Sequence, residues 1–439
     1  MLRVVAAGVA AEGRGDARLP LLGIGVLAFA LRLGLWVARA HGLVRSFEPP
    51  LSFWLGGNPE WTVLAENLAL GKGYHFLSGD FGDFWANRPP LYPLTLAALY
   101  HLFGRADLPP VVLQSVIGAL SAVLACLISR RLFGRRAGLI AGVLVALYPY
   151  YLNHDVFRQE TVLLTCVTAA GVFLVLRARE ASTWRDPAGA GVMLGLAALT
   201  RLTLLPFVPL AAVWLGAFSA RRRAWGVVLL LVGAVTVITP WVVRNTLLLG
   251  RPVFSVSTGF GLWWGHNPGV LKSYPWESID RGTLEYWRSL PLEVRERVAA
   301  LPELERDRWW REQAWGYIKA NPLPVARGVG LKALVALGLV KSPASGDFRD
   351  ILYPALYVPL LLSAAFGACM RPDLWPETAL FVLLFLAHLV PSLLAWSHSG
   401  HRIYLDLYLM VLASVPLAAA VTRVSGSSAG PKGDRGGRR

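Results

Sequence analysis

The run from residue 109 to residue 133 carries no acidic or basic side chain until its last turn, where Arg130 and Arg131 appear and Arg135 and Arg136 follow. A helix of about 20 apolar residues is what a hydrocarbon layer of roughly 30 Å demands. Similar runs recur along the chain. Of the 439 residues 55% are hydrophobic and only 16% charged, above the roughly 45–50% apolar content of soluble domains. The chain therefore reads as all-α, a polytopic membrane bundle. The net charge of +16 could suggest nucleic acid, but the arginines fall in short clusters between apolar runs. That is the pattern of loops retained on the cytoplasmic side, so no nucleic-acid partner is expected. Cys126, Cys166 and Cys369 stand singly and support neither a disulfide framework nor a zinc site.

Apolar length and the arginine clusters predict about ten spans, with interfacial helices in the outer loops. The spans are placed at 21–41, 109–133, 137–151, 162–176, two within 189–218 that turn near Arg201, 225–243, 352–370, 374–396 and 403–424. The first is read as an uncleaved helix, since its apolar region exceeds the roughly 7–15 residues of a signal core. Arg32 inside it either snorkels or is paired. Segment 90–104 is too short to cross and is placed at the interface. Segment 325–340 is treated as interfacial or re-entrant, because counting it as a span would put the basic tail outside. One transmembrane domain, 1–424, with outer loops 43–108 and 244–322, is thus followed by a disordered basic cytoplasmic tail, 425–439. Both termini are expected to be cytoplasmic, in a multi-pass protein of the cytoplasmic membrane.

With this topology the polar clusters fall on one face. The first outer loop brings Glu60, Asp80, Asp83 and Arg88, and the next turn Asp155, Arg158 and Glu160. Arg201 follows, then Arg244, Asn245, His266 and Asn267 in the long loop, and His398, His401, Arg402 and Tyr404 in the last turn. Arginine binds phosphate oxygens through a planar fork and stays charged, while a carboxylate can take a proton from an attacking hydroxyl. Carboxylates and arginines at a membrane surface therefore suit group transfer from a lipid phosphate. Plainer roles compete. Glu60 also fits the first turn of a helix capped by Asn58, with Trp61, Leu64, Ala65 and Leu68 on one face. Asp80 and Asp83, flanked by glycines, read first as turn residues, and Asp155 and Glu160 could be structural ion pairs. The charge run 303–312 reads as a solvated amphipathic helix pair. His398 and His401 lack a third ligand nearby, and no metal site is signalled.

Several stretches resemble one family: LAENLALGKGY at 64–74, NRPPLYPLTLAALYHLFG at 87–104, ALYPYYLNHDVFRQETVLL at 146–164, GVMLGLAALTRLTLLPFVP at 191–209, TPWVVRNTLLLGRPVFSVSTGFGLWWGHNP at 239–268 and HRIYLDLY at 401–408. In content and order they are similar to the C-type integral-membrane glycosyltransferases, in the branch of protein O-mannosyltransferases and the lipid A aminoarabinose transferase. The resemblance implies an inverting enzyme at the outer face that uses a polyprenyl-phosphate-linked sugar, with a glycan, lipid or protein as acceptor and membrane lipids around it. No cofactor is required in such a scheme, and a divalent metal is compatible with it but not signalled. The family's first-loop acid is expected as base, and the basic residue before the PPL stretch, Arg88 here, as a phosphate ligand. This chain departs from the pattern by reading Gly56-Gly57-Asn58-Pro59-Glu60, which leaves Glu60 as the carboxylate. The expected site is then Glu60, Asp155 and Glu160 for catalysis, Arg88, Arg201, Arg244 and Arg402 for the donor phosphate, and Asn245, His266, Asn267 and Tyr404 for substrate. Two other classes stay open: a transporter or flippase for lipid-linked sugars, and a non-catalytic subunit descended from the enzymes.

Overall fold

The computed structural model describes residues 18–43, 59–180, 183–219, 223–344, 346 and 348–427. The expectations for the N-terminal tail, for Asn58 as a helix cap and for the basic tail lie outside the described residues. Among the described residues twenty α-helices and one β-hairpin follow in chain order. They are α1 (Arg18–Ala40), α2 (Pro59–Ala69), β1 (Phe76–Ser78), β2 (Gly82–Phe84), α3 (Leu91–Phe103), α4 (Leu108–Phe133), α5 (Arg135–Leu147), α6 (Pro149–Asp155) and α7 (Thr161–Ala178). Then come α8 (Arg185–Thr200), α9 (Phe207–Phe218), α10 (Arg223–Leu249), α11 (Thr258–Gly265), α12 (Val270–Ser273), α13 (Ile279–Ser289), α14 (Leu292–Ala299) and α15 (Glu303–Ala320). The last are α16 (Pro322–Ala336), α17 (Arg349–Met370), α18 (Trp375–Leu394), α19 (Ser399–Arg402) and α20 (Asp406–Ser427).

Among the described residues seven helical stretches are long and apolar enough to cross a membrane: α1, α4, α7, α10, α17, α18 and the segment Ser399–Arg423 that holds α19 and most of α20. Three shorter helices occupy the other positions where the sequence predicts spans. Helix α5 packs on α4 and α20, α8 lies between α7 and α10, and α9 packs on α10 and α18. The helices begin and end for local reasons. Helix α4 starts with two prolines in its first turn, where their missing N–H groups cost nothing, and stops at Gly134, whose φ of 91° suits only glycine. Small residues set the closest approaches, since lipid chains give helices no hydrophobic drive to associate and packing must supply it. A Cβ on Gly191 would collide with the Leu230 carbonyl, and one on Gly233 with the Ala188 carbonyl, so α8 and α10 meet backbone to backbone.

The arginine clusters gather at one end of the bundle. There Arg131 pairs with Glu180, Arg177 with Asp186 and Arg179 with Glu377, and the Trp214 indole donates to the Pro376 carbonyl. The C-terminal ends of α1, α8, α10 and α18 and the N-terminal ends of α4 and α7 lie at the other end, beneath a layer built from β1–β2, α2, α3 and α11–α16.

That layer has an aromatic core. Phe81, at the hairpin turn, contacts the rings of Phe260, Trp264, Trp287 and Trp310. Here the charge run departs from the expectation of a solvated helix. Arg308, Arg311 and Glu312 are exposed, but Glu303, Arg306 and Asp307 are buried. Glu303 accepts the backbone N–H groups of Trp85 and Ala86, Arg306 donates to the Asp83 carbonyl, and Asp307 accepts the Phe260 N–H. Charges on one face of α15 thus satisfy backbone groups of the hairpin and of α11, which burial would otherwise strand. Burial pushes the Glu303 carboxyl up to about 7, against the opposing pull of the Trp85 and Ala86 amides and of Arg306. Helix α16 has 15 residues and lies in this layer, Lys332 in its middle donating to the Gly265 carbonyl at 2.8 Å.

Candidate functional site

The sequence places Arg244 and Asn245 among the substrate ligands, and the structure commits both to backbone. Arg244 donates to the carbonyls of Trp85 (2.6 Å) and Tyr74 (2.9 Å), and Asn245 to those of Val253 and Phe254. The Trp241 indole donates to Phe254 O as well. The TPWVVRN stretch is thus a clamp at the end of α10 that grips both flanks of the outer layer. Tyr74 completes it, its hydroxyl donating to the carbonyls of Arg88 and Pro89, while Ser255 donates to Asn87 O and Val256 N–H to Ala86 O. Removing the guanidinium strands two carbonyls, at about 1–3 kcal/mol each. Arg244→Ala is therefore expected to speed limited proteolysis within residues 72–88, with lipid-phosphate affinity falling only as far as that loop loosens. Proteolysis at the wild-type rate with a selective loss of affinity would return Arg244 to the phosphate.

The clamp delivers Arg88 to a polar ring formed by several elements. Arg88 Nε lies 2.5 Å from Glu60 Oε2, in the first turn of α2. Arg201, just past the end of α8, lies 2.6 Å from Glu160 Oε1, at the start of α7. The two pairs are neighbours. Burial works against the cation of Arg88, but Glu60, with a further contribution from Glu160, holds its pKa above the usual arginine value. Burial likewise raises the Glu160 carboxyl, and Arg201 and Arg88 outweigh it, so that it titrates below its usual range. All four side chains are 13–27% exposed, reachable but not free in water. Arg88 also lies over the indoles of Trp61 (5.6 Å) and Trp396 (5.7 Å), and Arg201 over the ring of Tyr404 (5.8 Å).

The other expected residues lie elsewhere. Asp155 Oδ2 accepts from Arg32 Nε at 2.5 Å, both side chains at most 3% exposed. Gly118 makes room for them, since a Cβ there would overlap both groups. Of the two readings of Arg32, the paired one holds. Arg402 is buried against Asp406 at 2.8 Å, beside the Tyr353 hydroxyl and 3.6 Å from the ring centre of Tyr357. Asn267 orders its own turn, donating to Trp263 O and Thr283 Oγ1. His266 is buried beside Lys332, and burial with that cation depresses its pKa to about 4. Asp80 pairs with Arg288 and Asp83 with His75, consistent with turn roles. Arg158 pairs with Asp107. Among the described residues no three of His, Cys, Asp and Glu are placed to hold a metal ion.

Asp280 has no counterpart in the sequence reading. It opens α13 and accepts the indole N–H groups of Trp264 (2.7 Å) and Trp396 (2.8 Å) on Oδ1, while Oδ2 lies 3.2 Å from His398 Nε2. His398 and His401 did stand out in the sequence. An acid after Ser278 reads only as a helix start, and nothing local signals a partner 116 residues away.

The chain, a bundle of membrane-length helices under a layer of shorter ones with ionisable groups collected where the two meet, shares its fold with the oligosaccharyltransferase of Archaeoglobus fulgidus: it aligns with the apo form at a TM-score of 0.57 and 14% identity, over 94% of this chain and 52% of that one. The same enzyme in complex with an inhibitory peptide and a dolichol-phosphate gives 0.53 and 13%, over 94% and 52%. The chain thus spans about half the length of these relatives. Within it, residues 87–243 match the family described as dolichyl-phosphate-mannose-protein mannosyltransferase. ArnT from Cupriavidus metallidurans, bound to undecaprenyl phosphate, aligns at a TM-score of only 0.37 and 15% identity, over 92% of this chain and 79% of that one, and carries no weight here. No curated protein matches the chain in sequence.

Proposed function

We propose that the protein is an inverting glycosyltransferase of the cytoplasmic membrane, which moves a sugar from a polyprenyl phosphate to a hydroxyl of a glycan, lipid or protein at the outer face. The observation that supports this most directly is the meeting of two arginine–carboxylate pairs, Arg88–Glu60 and Arg201–Glu160, at the end of the bundle away from the arginine clusters. Arg88 and Arg201 hold the phosphate, exchanging part of their carboxylate contacts for phosphate oxygens. Glu60 takes the acceptor proton as the acceptor oxygen bonds to the anomeric carbon, and the lipid phosphate departs from the opposite face. A lipid phosphate is a fair leaving group, so positioning and charge stabilisation are the protein's main contribution. That contribution comes from guanidinium groups, and the scheme requires no cofactor. Asp155 and Arg402 fall to the scaffold in this reading, and Tyr404 lies under Arg201 at the site.

Transfer from a labelled polyprenyl-phosphate sugar by the purified protein tests the proposal. Glu60→Gln should lower transfer by about 10²–10⁴-fold, the range for a positioned acid–base group, with donor binding kept. Undiminished transfer by that variant would remove Glu60 from the base role. Donor binding without transfer by the wild type would favour a non-catalytic descendant. A reporter fused after Arg439 should report a cytoplasmic C-terminus.

A further inference from the structure

Helix α2 packs on α3 through an apolar stripe in which Trp61, Leu64 and Ala65 are 4%, 1% and 0% exposed. A phenylalanine at the head of that stripe would bury no polar atom, yet the chain places an indole there, and Trp61 Nε1 has no hydrogen-bond partner among the described residues. Buried N–H groups left without a partner are rare, because each forfeits its hydration for nothing. Other indoles of this chain are satisfied. Trp214, Trp241 and Trp287 donate to the carbonyls of Pro376, Phe254 and Asp80, and Trp264 and Trp396 donate to the Asp280 carboxylate. Trp310 also has an orphaned N–H, but it stands 4.1 and 4.7 Å from the rings of Trp263 and Trp287, whose π faces can receive one. Trp61 lacks such company. Among the described residues its aromatic neighbour is Tyr92, 6.3 Å away between ring centres, and the Tyr92 hydroxyl is itself committed to Gln114 Oε1 at 2.6 Å.

What stands over Trp61 is a donor arginine. The Arg88 guanidinium lies 5.6 Å from the indole centre, and Arg88 Nε pairs with Glu60, the residue before Trp61 in α2. Arg88 and Glu60 are 23% and 27% exposed at their side chains, so a ligand that reaches this pair arrives beside the indole. An indole N–H donates and cannot accept. Its missing partner is therefore an acceptor, and next to a guanidinium an anionic oxygen is the favoured one. We infer that Trp61 Nε1 is a phosphate ligand, a neutral donor that joins Arg88 in holding an oxygen of the lipid phosphate. The inference rests on the reading of Arg88 as a phosphate ligand in the transferase above. The N–H has already lost its water in the free protein, so meeting the phosphate costs it no further desolvation.

Stability and affinity should move in different directions when the N–H is removed, which separates this role from that of a packing residue. Replacing Trp61 by benzothienylalanine through nonsense suppression exchanges the N–H for sulfur in a ring of nearly the same size. Measured for this protein and the wild type are the thermal melt without ligand, the Kd for undecaprenyl phosphate and for undecaprenol in detergent, and transfer from the labelled donor. The benzothienyl protein should melt at or above the wild-type temperature, since a stranded donor is gone. Its Kd for undecaprenyl phosphate should rise about 10-fold or more, as for loss of a hydrogen bond to a charged group, while its Kd for undecaprenol stays at the wild-type value. In wild type isotopically labelled at its indole nitrogens, the Trp61 N–H signal, identified by its absence from Trp61→Phe, should shift downfield with undecaprenyl phosphate and not with undecaprenol. An unchanged Kd for undecaprenyl phosphate together with an unmoved indole signal would overturn the inference, and transfer by the wild type would then stand without it. A clearly lower melt of the benzothienyl protein would mean that the N–H already serves the fold, and would overturn it too. A phosphate-dependent indole shift with no transfer by the wild type would keep the contact and sink the transferase reading instead.

Discussion

Arg201→Ala is expected to lower transfer by about 10²–10³-fold, the loss seen when one preorganised donor to developing charge is removed. Arg201 does two jobs at once: its Nη2 pairs with Glu160 and its Nη1 donates to His401 O. Without it Glu160 keeps its charge at the start of α7 with one cation fewer, and α19 loses the anchor at its His401 carbonyl. Arg201→Lys restores the charge but not the fork, since one ammonium cannot span both partners in plane, so it should recover only part of the rate. Arg88→Ala should cost a similar factor and also raise the KM for donor, because Arg88 is partly exposed and lies near the indoles of Trp61 and Trp396. The check is kcat and KM for the labelled donor in wild type and the three variants. A change in KM alone would reduce both arginines to docking contacts with no share in the transition state.

The second large effect concerns the fold. Asp155→Ala leaves Arg32 charged and unpaired inside the bundle, and Arg32→Ala does the reverse to Asp155. Breaking a buried pair from one side costs about 3–5 kcal/mol. Each single variant should therefore melt well below the wild type in detergent. Replacing both residues by leucine should recover much of the loss, because a buried ion pair often gives no more stability than apolar side chains of similar volume. Burial raises the Asp155 carboxyl to about 6 even against Arg32. A carboxyl raised above its unfolded value has its stabilisation in full at low pH and loses it as pH climbs from the unfolded pKa toward about 6. The contribution of Asp155 should thus fall across that window, while the Asp155→Asn variant shows no such change. Unaltered melting of the single variants with lost transfer would give Asp155 the catalytic role that the sequence suggested.

The two layers of the molecule were not equally legible in the sequence. Span length and arginine clusters depend on local composition, and they located the long helices and the short α5, α8 and α9. The Glu60–Arg88 and Glu160–Arg201 residues were visible as charges at helix ends, where lipid makes a charge costly enough to need a reason. Their pairing was not visible, because partners 28 and 41 residues apart meet only through the packing of whole helices. Arg244 and Asn245 illustrate a different limit. Their motif is specific, and that specificity drew a substrate role, yet the structure spends it on carbonyls of the outer layer. The buried face of α15 was missed for a related reason: alternating charge along a helix describes its composition, and only the neighbouring hairpin decides which charges are covered. Asp280 gave no signal at all.

The Arg32–Asp155 pair also sets a constraint on the order in which the molecule is made. Its two halves are separated by 123 residues, which a ribosome adding about 5–20 residues per second takes roughly 6–25 s to bridge. Throughout that interval α1 resides in the membrane with an unanswered arginine, a burden of up to about 2.5–3.5 kcal/mol at a helix centre. The first helix is thus the last to become comfortable. Until α6 arrives, the hold of α1 on the membrane depends on its apolar remainder and on whatever chaperones the nascent chain, and a truncation just before Asp155 should be cleared faster than one just after it.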